Sequence, residues 1–185
     1  MTSAELTLRP ADVGDADLLH RMLQYYFFES SAWSGERIGH DGLYDCSHGD
    51  VVSALVEIPG WAHILIFENT VAGFVLTEDS GVERESAVGA VFDSFAPACS
   101  GGIRELADLF MLPNVRGRGL AVEAVRRVIV PGSGIWMIAM FREDVSAQAY
   151  WSRALPRLGF RHRMVPDEVD ARFRLYAVEA PPSRP

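Results

Sequence analysis

Glu105-Leu106-Ala107-Asp108-Leu109-Phe110-Met111-Leu112-Pro113-Asn114-Val115-Arg116-Gly117-Arg118-Gly119-Leu120-Ala121 is the stretch that decides how the chain folds. A largely apolar, strand-like run ends at Pro113. A turn follows in which Gly117 and Gly119 alternate with Arg116 and Arg118, and then a helical pattern opens on Leu120. Strand, glycine turn and helix in that order build an anion site. The first amides of a helix have no intrahelical partner and the macrodipole adds partial positive charge there, so a phosphate suits the position. Glycines carry no Cβ and let the backbone approach a bulky ligand. Arg116 and Arg118 add guanidinium groups of the kind that grip phosphate in two places.

The chain on either side supplies the context. Downstream, residues 119–130 read as a helix ending near Pro131-Gly132, and residues 135–141 form a continuous apolar run, as in a central strand covered on both faces. Residues 145–155 read as a helix stopped by Pro156 and Gly159. Strands near 160–165 and 173–178 close the fold before a Pro-rich tail, 181–185. Upstream, a short strand at 6–9 stops at Pro10. Residues 11–28 place Leu18, Leu19, Met22, Leu23, Tyr26 and Phe27 at helical spacing, with Asp12 and Asp15 as candidate caps. Residues 29–49 read as a loop, 50–58 as a short helix, and 63–67 and 71–76 as a hairpin turning at Asn69-Thr70. Between 77 and 103 lies a polar, Gly-rich connection with an apolar island at 87–95. A connection of that length is usually functional or mobile, and packing on a partner is one use for it. The order β-α-(α)-β-β-β-α-β-α-β-β predicts an α/β protein with a mixed sheet.

Composition narrows the function classes. The 185 residues carry a net charge of −8, split unevenly. Residues 1–100 hold four arginines against sixteen carboxylates, and residues 101–185 hold thirteen against nine. An acidic whole argues against nucleic acid as main ligand, while the basic half suits a small polyanion and the acidic half a cationic substrate. No long apolar span and no signal-peptide pattern is present, so a soluble, cytoplasmic protein with no membrane partner is expected. Cys46 and Cys99 lack CxxC spacing, and His20, His48, His63 and His162 lack metal spacing, so neither a disulfide framework nor a metal is expected. The pattern from Gly117 to Val122 is not a dinucleotide fingerprint: the third glycine is absent and no acidic residue follows at the right distance.

In this setting Arg116-x-x-Gly119-x-Ala121 resembles the acyl-CoA pyrophosphate signature Q/R-x-x-G-x-G/A of the GNAT N-acetyltransferases. The likeness continues in Asp144-x-x-Ala147-x-x-Tyr150-Trp151, where the family shows Asn-x-x-Ala-x-x-Phe-Tyr/Trp. It is specific over residues 104–160, looks most like a small bacterial branch, and implies one GNAT domain over residues 1–180. The implied fold is a mostly antiparallel sheet of six or seven strands, flanked by helices and splayed between its fourth and fifth strands. The implied cosubstrate is acetyl-CoA. Its phosphates would sit on Arg116, Gly117, Arg118, Gly119, Leu120 and Ala121, and its pantetheine arm would run along Phe110, Met111 and Leu112 toward Asp144, Ala147 and Trp151. A backbone N–H near Leu112 would serve as oxyanion donor.

The reaction so implied is acetyl transfer to a primary amine of a small molecule or amino acid, by direct attack in a ternary complex. A lysine-like amine has a pKa of about 10.4, so a base or water relay must take a proton. Asp108 is the first candidate, a carboxylate in an apolar strand where propensity disfavours it, at the position where many members place a Glu. A structural carboxylate is its other role. Glu105 follows, on the opposite face of a regular strand. The Tyr that often protonates the departing thiolate is replaced by Trp151, which has no proton to give. The acid is then Tyr150, another Tyr, or water. That replacement also keeps open a non-catalytic acyl-CoA-binding module. Acceptor residues in the family come from the first two helices, the loop between them and the last hairpin. The first of these segments hold Tyr25, Tyr26, Glu29, Trp33, His40, Asp41 and Tyr44 here, an aromatic and acidic set suited to a cationic or aromatic amine. Dimers are common in the family, so a homodimer is a further expectation.

Overall fold

The computed structural model describes residues 5–99 and 101–182, so the extreme N-terminus and the last three residues of the Pro-rich tail lie outside the described part. The elements run β1 (Thr7–Pro10), α1 (Ala16–Ser34), α2 (His48–Glu57), β2 (Ala62–Phe67), β3 (Thr70–Asp79), α3 (Ala87–Phe95), β4 (Ile103–Met111), α4 (Leu120–Val128), β5 (Ile135–Phe141), α5 (Val145–Leu158), β6 (Arg161–Met164) and β7 (Phe173–Glu179). The strands hydrogen-bond in the order β1-β2-β3-β4-β5-β7-β6. The β1–β2, β2–β3, β5–β7 and β6–β7 pairs are antiparallel, and β4 pairs with β5 in parallel from Ile103↔Ile135 to Leu106↔Ile138. β4 continues to Met111 beyond that last rung. The chain divides into two compact units, one built from residues up to Thr77 plus Asp108–Ala121, the other from Glu78–Ala107 plus the chain from Val122 onward.

In the first unit α1 follows from local chemistry. Asp12 accepts from the Gly14 N–H and the Asp15 carboxylate accepts from the Asp12 N–H, a reciprocal capping box around a 3-10 turn that feeds the helix. Leu19, Met22 and Leu23 form its buried stripe. The helix outruns its expected end at 28 and stops at Ser34, where Gly35 takes the left-handed conformation at φ 84 and closes it. α2 opens on a second capping box between Ser47 and Asp50. The β2–β3 hairpin turns at Glu68-Asn69, both with positive φ, one residue earlier than the sequence pattern placed it. Leu65 pairs with Gly73 and Ile66 with Val71, which leaves Ala72 as the extra residue of a bulge.

In the second unit β5 is buried along most of its length and pairs with all seven residues of β7. The island in the long connection is a helix, α3, capped by Ser86, whose Oγ accepts from the Gly89 N–H at 3.0 Å. Phe92 and Phe95 of α3 lie in one apolar cluster with Ile103, Ile135, Met137, Leu175 and Ala177. Each buried ring is worth about 2–3 kcal/mol. That apolar face packs inside the unit. Pro156 does not stop α5; it sits in the final turn, and the helix ends at Leu158 before left-handed Gly159. Near a helix end a missing N–H removes only one late hydrogen bond, so a proline is tolerated.

Candidate active site

The first unit holds the glycine turn. β4 ends at Met111, Pro113–Val115 form a 3-10 turn, Gly117 and Gly119 take left-handed φ of 76 and 81, and α4 starts at Leu120. A Cβ built on either glycine meets nothing within 4 Å. Backbone conformation therefore requires glycine here, and the space beside the turn is open. Added to the dipole of the nine-residue α4, that makes a backbone cradle for an anion.

The arginines of the turn are placed otherwise than their sequence pattern suggested. Arg116 Nε donates to the Met111 carbonyl at 2.7 Å, its Nη2 donates to both Glu29 carboxylate oxygens at 2.8 Å, and its guanidinium lies 5.6 Å from the centre of the Phe110 ring. Arg118 leans on Phe67, with Glu68 at 3.9 Å. Arg116 is thus engaged within the fold, Arg118 is about half exposed, and the cradle itself is main chain. Leu112 narrows the expectation of an oxyanion donor near it. Its N–H donates to the Ala72 carbonyl at 2.8 Å, so it is not available as an oxyanion donor.

The strand end is fixed by a residue that the motif pattern did not single out. A Cβ on Gly73 would stand 2.0 Å from the Phe110 carbonyl oxygen, so only glycine lets β3 and β4 approach there. A glycine inside an apolar strand, beside a bulge, was the available signal. Phe110 completes an aromatic group with Tyr26 and Phe74, with centroids 5.6–6.1 Å apart. Tyr26 thus serves in packing. Tyr44 pins the α1–α2 loop through Ser31 Oγ at 3.2 Å, while its N–H donates to Gln24. Tyr25 is exposed and Trp33 half-buried on α1. Asp108 is half-buried on the part of β4 within this unit.

The second unit holds the α5 residues and half-buried Glu105. Asp144 caps α5, its Oδ1 accepting from the Ala147 N–H at 2.9 Å and the Ser146 hydroxyl at 2.7 Å. It does for the helix what Asn or Ser does elsewhere. Trp151 is buried, 5% exposed, and packs edge-on to Tyr150 at 5.0 Å. The Tyr150 hydroxyl is buried with no hydrogen-bond partner among the described residues, and burial pushes its pKa up to about 12. It is a protonated donor at any physiological pH.

No family model matches the chain, and no curated protein does. Solved structures do. An acetyltransferase from Thermus thermophilus is similar at TM-score 0.59, with 21% identity over 94% of this chain and 96% of that one. The aminoglycoside acetyltransferase AAC(6')-Ib, in complex with coenzyme A and kanamycin, is similar at TM-score 0.60, with 16% identity over 95% of each chain. Diaminobutyrate acetyltransferase from Paenibacillus lautus, in complex with L-2,4-diaminobutyric acid and coenzyme A, gives TM-score 0.59 and 9% identity over 96% of each. With the parallel β4–β5 pair, the glycine turn and these likenesses together, the chain has the GNAT N-acetyltransferase fold.

Proposed function

We propose that the chain, as one domain over residues 1–180, transfers an acetyl group from acetyl-CoA to a primary amine of a small molecule or amino acid in a ternary complex. The observation that carries this is the open, left-handed Gly117/Gly119 turn between the end of β4 and the start of α4, set in a GNAT fold. The phosphates take the amides from Gly117 to Ala121, and the pantetheine arm runs past Phe110 along the edge of β4 that the Met111 N–H faces. Backbone groups alternate along a strand. Since the Leu112 N–H faces Ala72, the oxyanion donor is assigned to the Met111 N–H, on the other edge. No metal takes part in this scheme.

Asp108 removes the amine proton, directly or through water, with Glu105 as the substitute. Tyr150 returns a proton to the thiolate, a role supported by its buried, unpartnered hydroxyl; its raised pKa keeps it protonated and makes it a weak acid toward a thiol of pKa about 8.5. A small-molecule acceptor is supported by the kanamycin and L-2,4-diaminobutyric acid held by similar structures. The test is thiol release from acetyl-CoA across a panel of small amines and amino acids, with Asp108→Asn beside the wild type. Turnover should fall about 10²- to 10⁴-fold in the variant. Undiminished turnover removes Asp108 as base. Stabilisation by CoA with no turnover on any amine identifies a binding module instead.

A further inference from the structure

We infer that Glu29 is a positioning residue for the acetyl donor, acting through Arg116, and not a ligand of the acceptor amine. The inference rests on the reading of the glycine turn as a CoA site. Glu29 stands on α1, among the residues from which an acceptor pocket would be drawn. Both of its carboxylate oxygens are nevertheless taken up by Arg116 Nη2 at 2.8 Å, and the same guanidinium donates through Nε to the Met111 carbonyl at 2.7 Å. One side chain thereby ties α1, the end of β4 and the first residue of the phosphate loop.

The peptide between Met111 and Leu112 shows what this tie achieves. Its carbonyl is held by Arg116 and its N–H by the Ala72 carbonyl at 2.8 Å. A trans peptide is planar, so fixing both ends fixes that plane; the Met111 N–H lies in the preceding plane, and only the φ and ψ of Met111 separate the two. Polar groups aimed before the reaction starts cost no reorganisation during it. Arg116 can do this only while its own orientation is set. The planar guanidinium is set by two anchors, the Phe110 ring at 5.6 Å and the Glu29 carboxylate. With its charge matched by Arg116, Glu29 has little left for a cationic amine.

The test is calorimetric binding of CoA to the wild type, Glu29→Gln, Arg116→Gln and the double variant, with steady-state kinetics on any amine that is turned over. Each single variant should bind CoA about three- to tenfold more weakly, in keeping with a half-exposed charged pair. The double variant should bind no more weakly than Arg116→Gln alone, because Glu29 acts only through that arginine. In Glu29→Gln the KM for acetyl-CoA should rise and that for the amine should not. Glu29→Asp, which keeps the charge but shortens the reach, should fold normally and fall between wild type and Glu29→Gln. Wild-type CoA affinity in Glu29→Gln, additive losses in the double variant, or a rise confined to the amine KM would each overturn the inference. Failure of the wild type to bind CoA would instead overturn the acetyl-CoA reading itself, so the two failures are told apart.

Discussion

The end of β4 and the start of α5 treat their polar groups in opposite ways. At the end of β4 Arg116 has Glu29 and the Met111 carbonyl, the Leu112 N–H has Ala72, and Gly73 admits the Phe110 carbonyl at close range. At α5, Asp144 is satisfied as a cap, yet six residues later the Tyr150 hydroxyl is buried with nothing to bond among the described residues. Buried donors without partners are rare because each costs about 1–3 kcal/mol. A satisfied group is explained by the fold that holds it. An unsatisfied one needs another account, and for Tyr150 the proposed acid role is that account.

The largest expected effect tests the scaffold side. Gly73→Ala puts a methyl group 2.0 Å from the Phe110 oxygen, so β3 and β4 must part. Urea unfolding should show a loss of about 2–4 kcal/mol. Gly117→Ala meets open space and suffers only from its φ of 76, so its loss should be about 1–2 kcal/mol. Equal losses would mean that crowding at Gly73 is relieved by easy movement of the strand. On the chemical side, Tyr150→Phe should lower kcat about 10- to 100-fold while leaving stability unchanged or raising it by up to about 1 kcal/mol. Because the wild-type hydroxyl titrates at about 12, any loss of activity from its deprotonation should come only as pH rises toward that value. An unchanged kcat would return Tyr150 to the core and leave water or another tyrosine as the acid.

The same division explains what could be read in the sequence. β5 was legible to its last residue because seven consecutive apolar side chains stand between Gly134 and Arg142, and α5 was legible at its start because Asp144 is a cap by chemistry. Where position depends on a remote partner, the sequence was less informative. Arg116 has the composition of a phosphate clamp, and only the fold brings Glu29, 87 positions away, against it. Gly73 reads as a weak spot in a strand until the Phe110 carbonyl is seen beside it. The 87–95 island carried helical spacing, but its Gly-rich flanks masked a helix whose burial is decided by Ile135 and Leu175 much later in the chain. The residues proposed for acid and phosphate chemistry were thus visible as residue types, and what surrounds them was not.

The smallest expected effect gives a standard for a satisfied carboxylate. Asp15 is bound by Arg9 through two charge-assisted hydrogen bonds at 2.6 and 2.7 Å, and it accepts the Asp12 N–H at 3.0 Å. The Arg9 guanidinium, foremost by hydrogen bonding, holds its carboxyl below the usual carboxylate range. A carboxyl with a lowered folded-state pKa binds fewer protons folded than unfolded, so its stabilisation is fully present above the unfolded value of about 4 and drains away as pH falls through the folded value. Arg9 is part-exposed, which keeps the increment small. Asp15→Asn should therefore cost about 0.5–1 kcal/mol at pH 7 in urea unfolding, and the difference from wild type should close below pH 4. Turnover at neutral pH should follow the wild type, in contrast to Asp108→Asn. If Asp15→Asn instead removed turnover while Asp108→Asn cost only stability, the carboxylate of β4 would belong to the scaffold and that of the α1 cap to the chemistry.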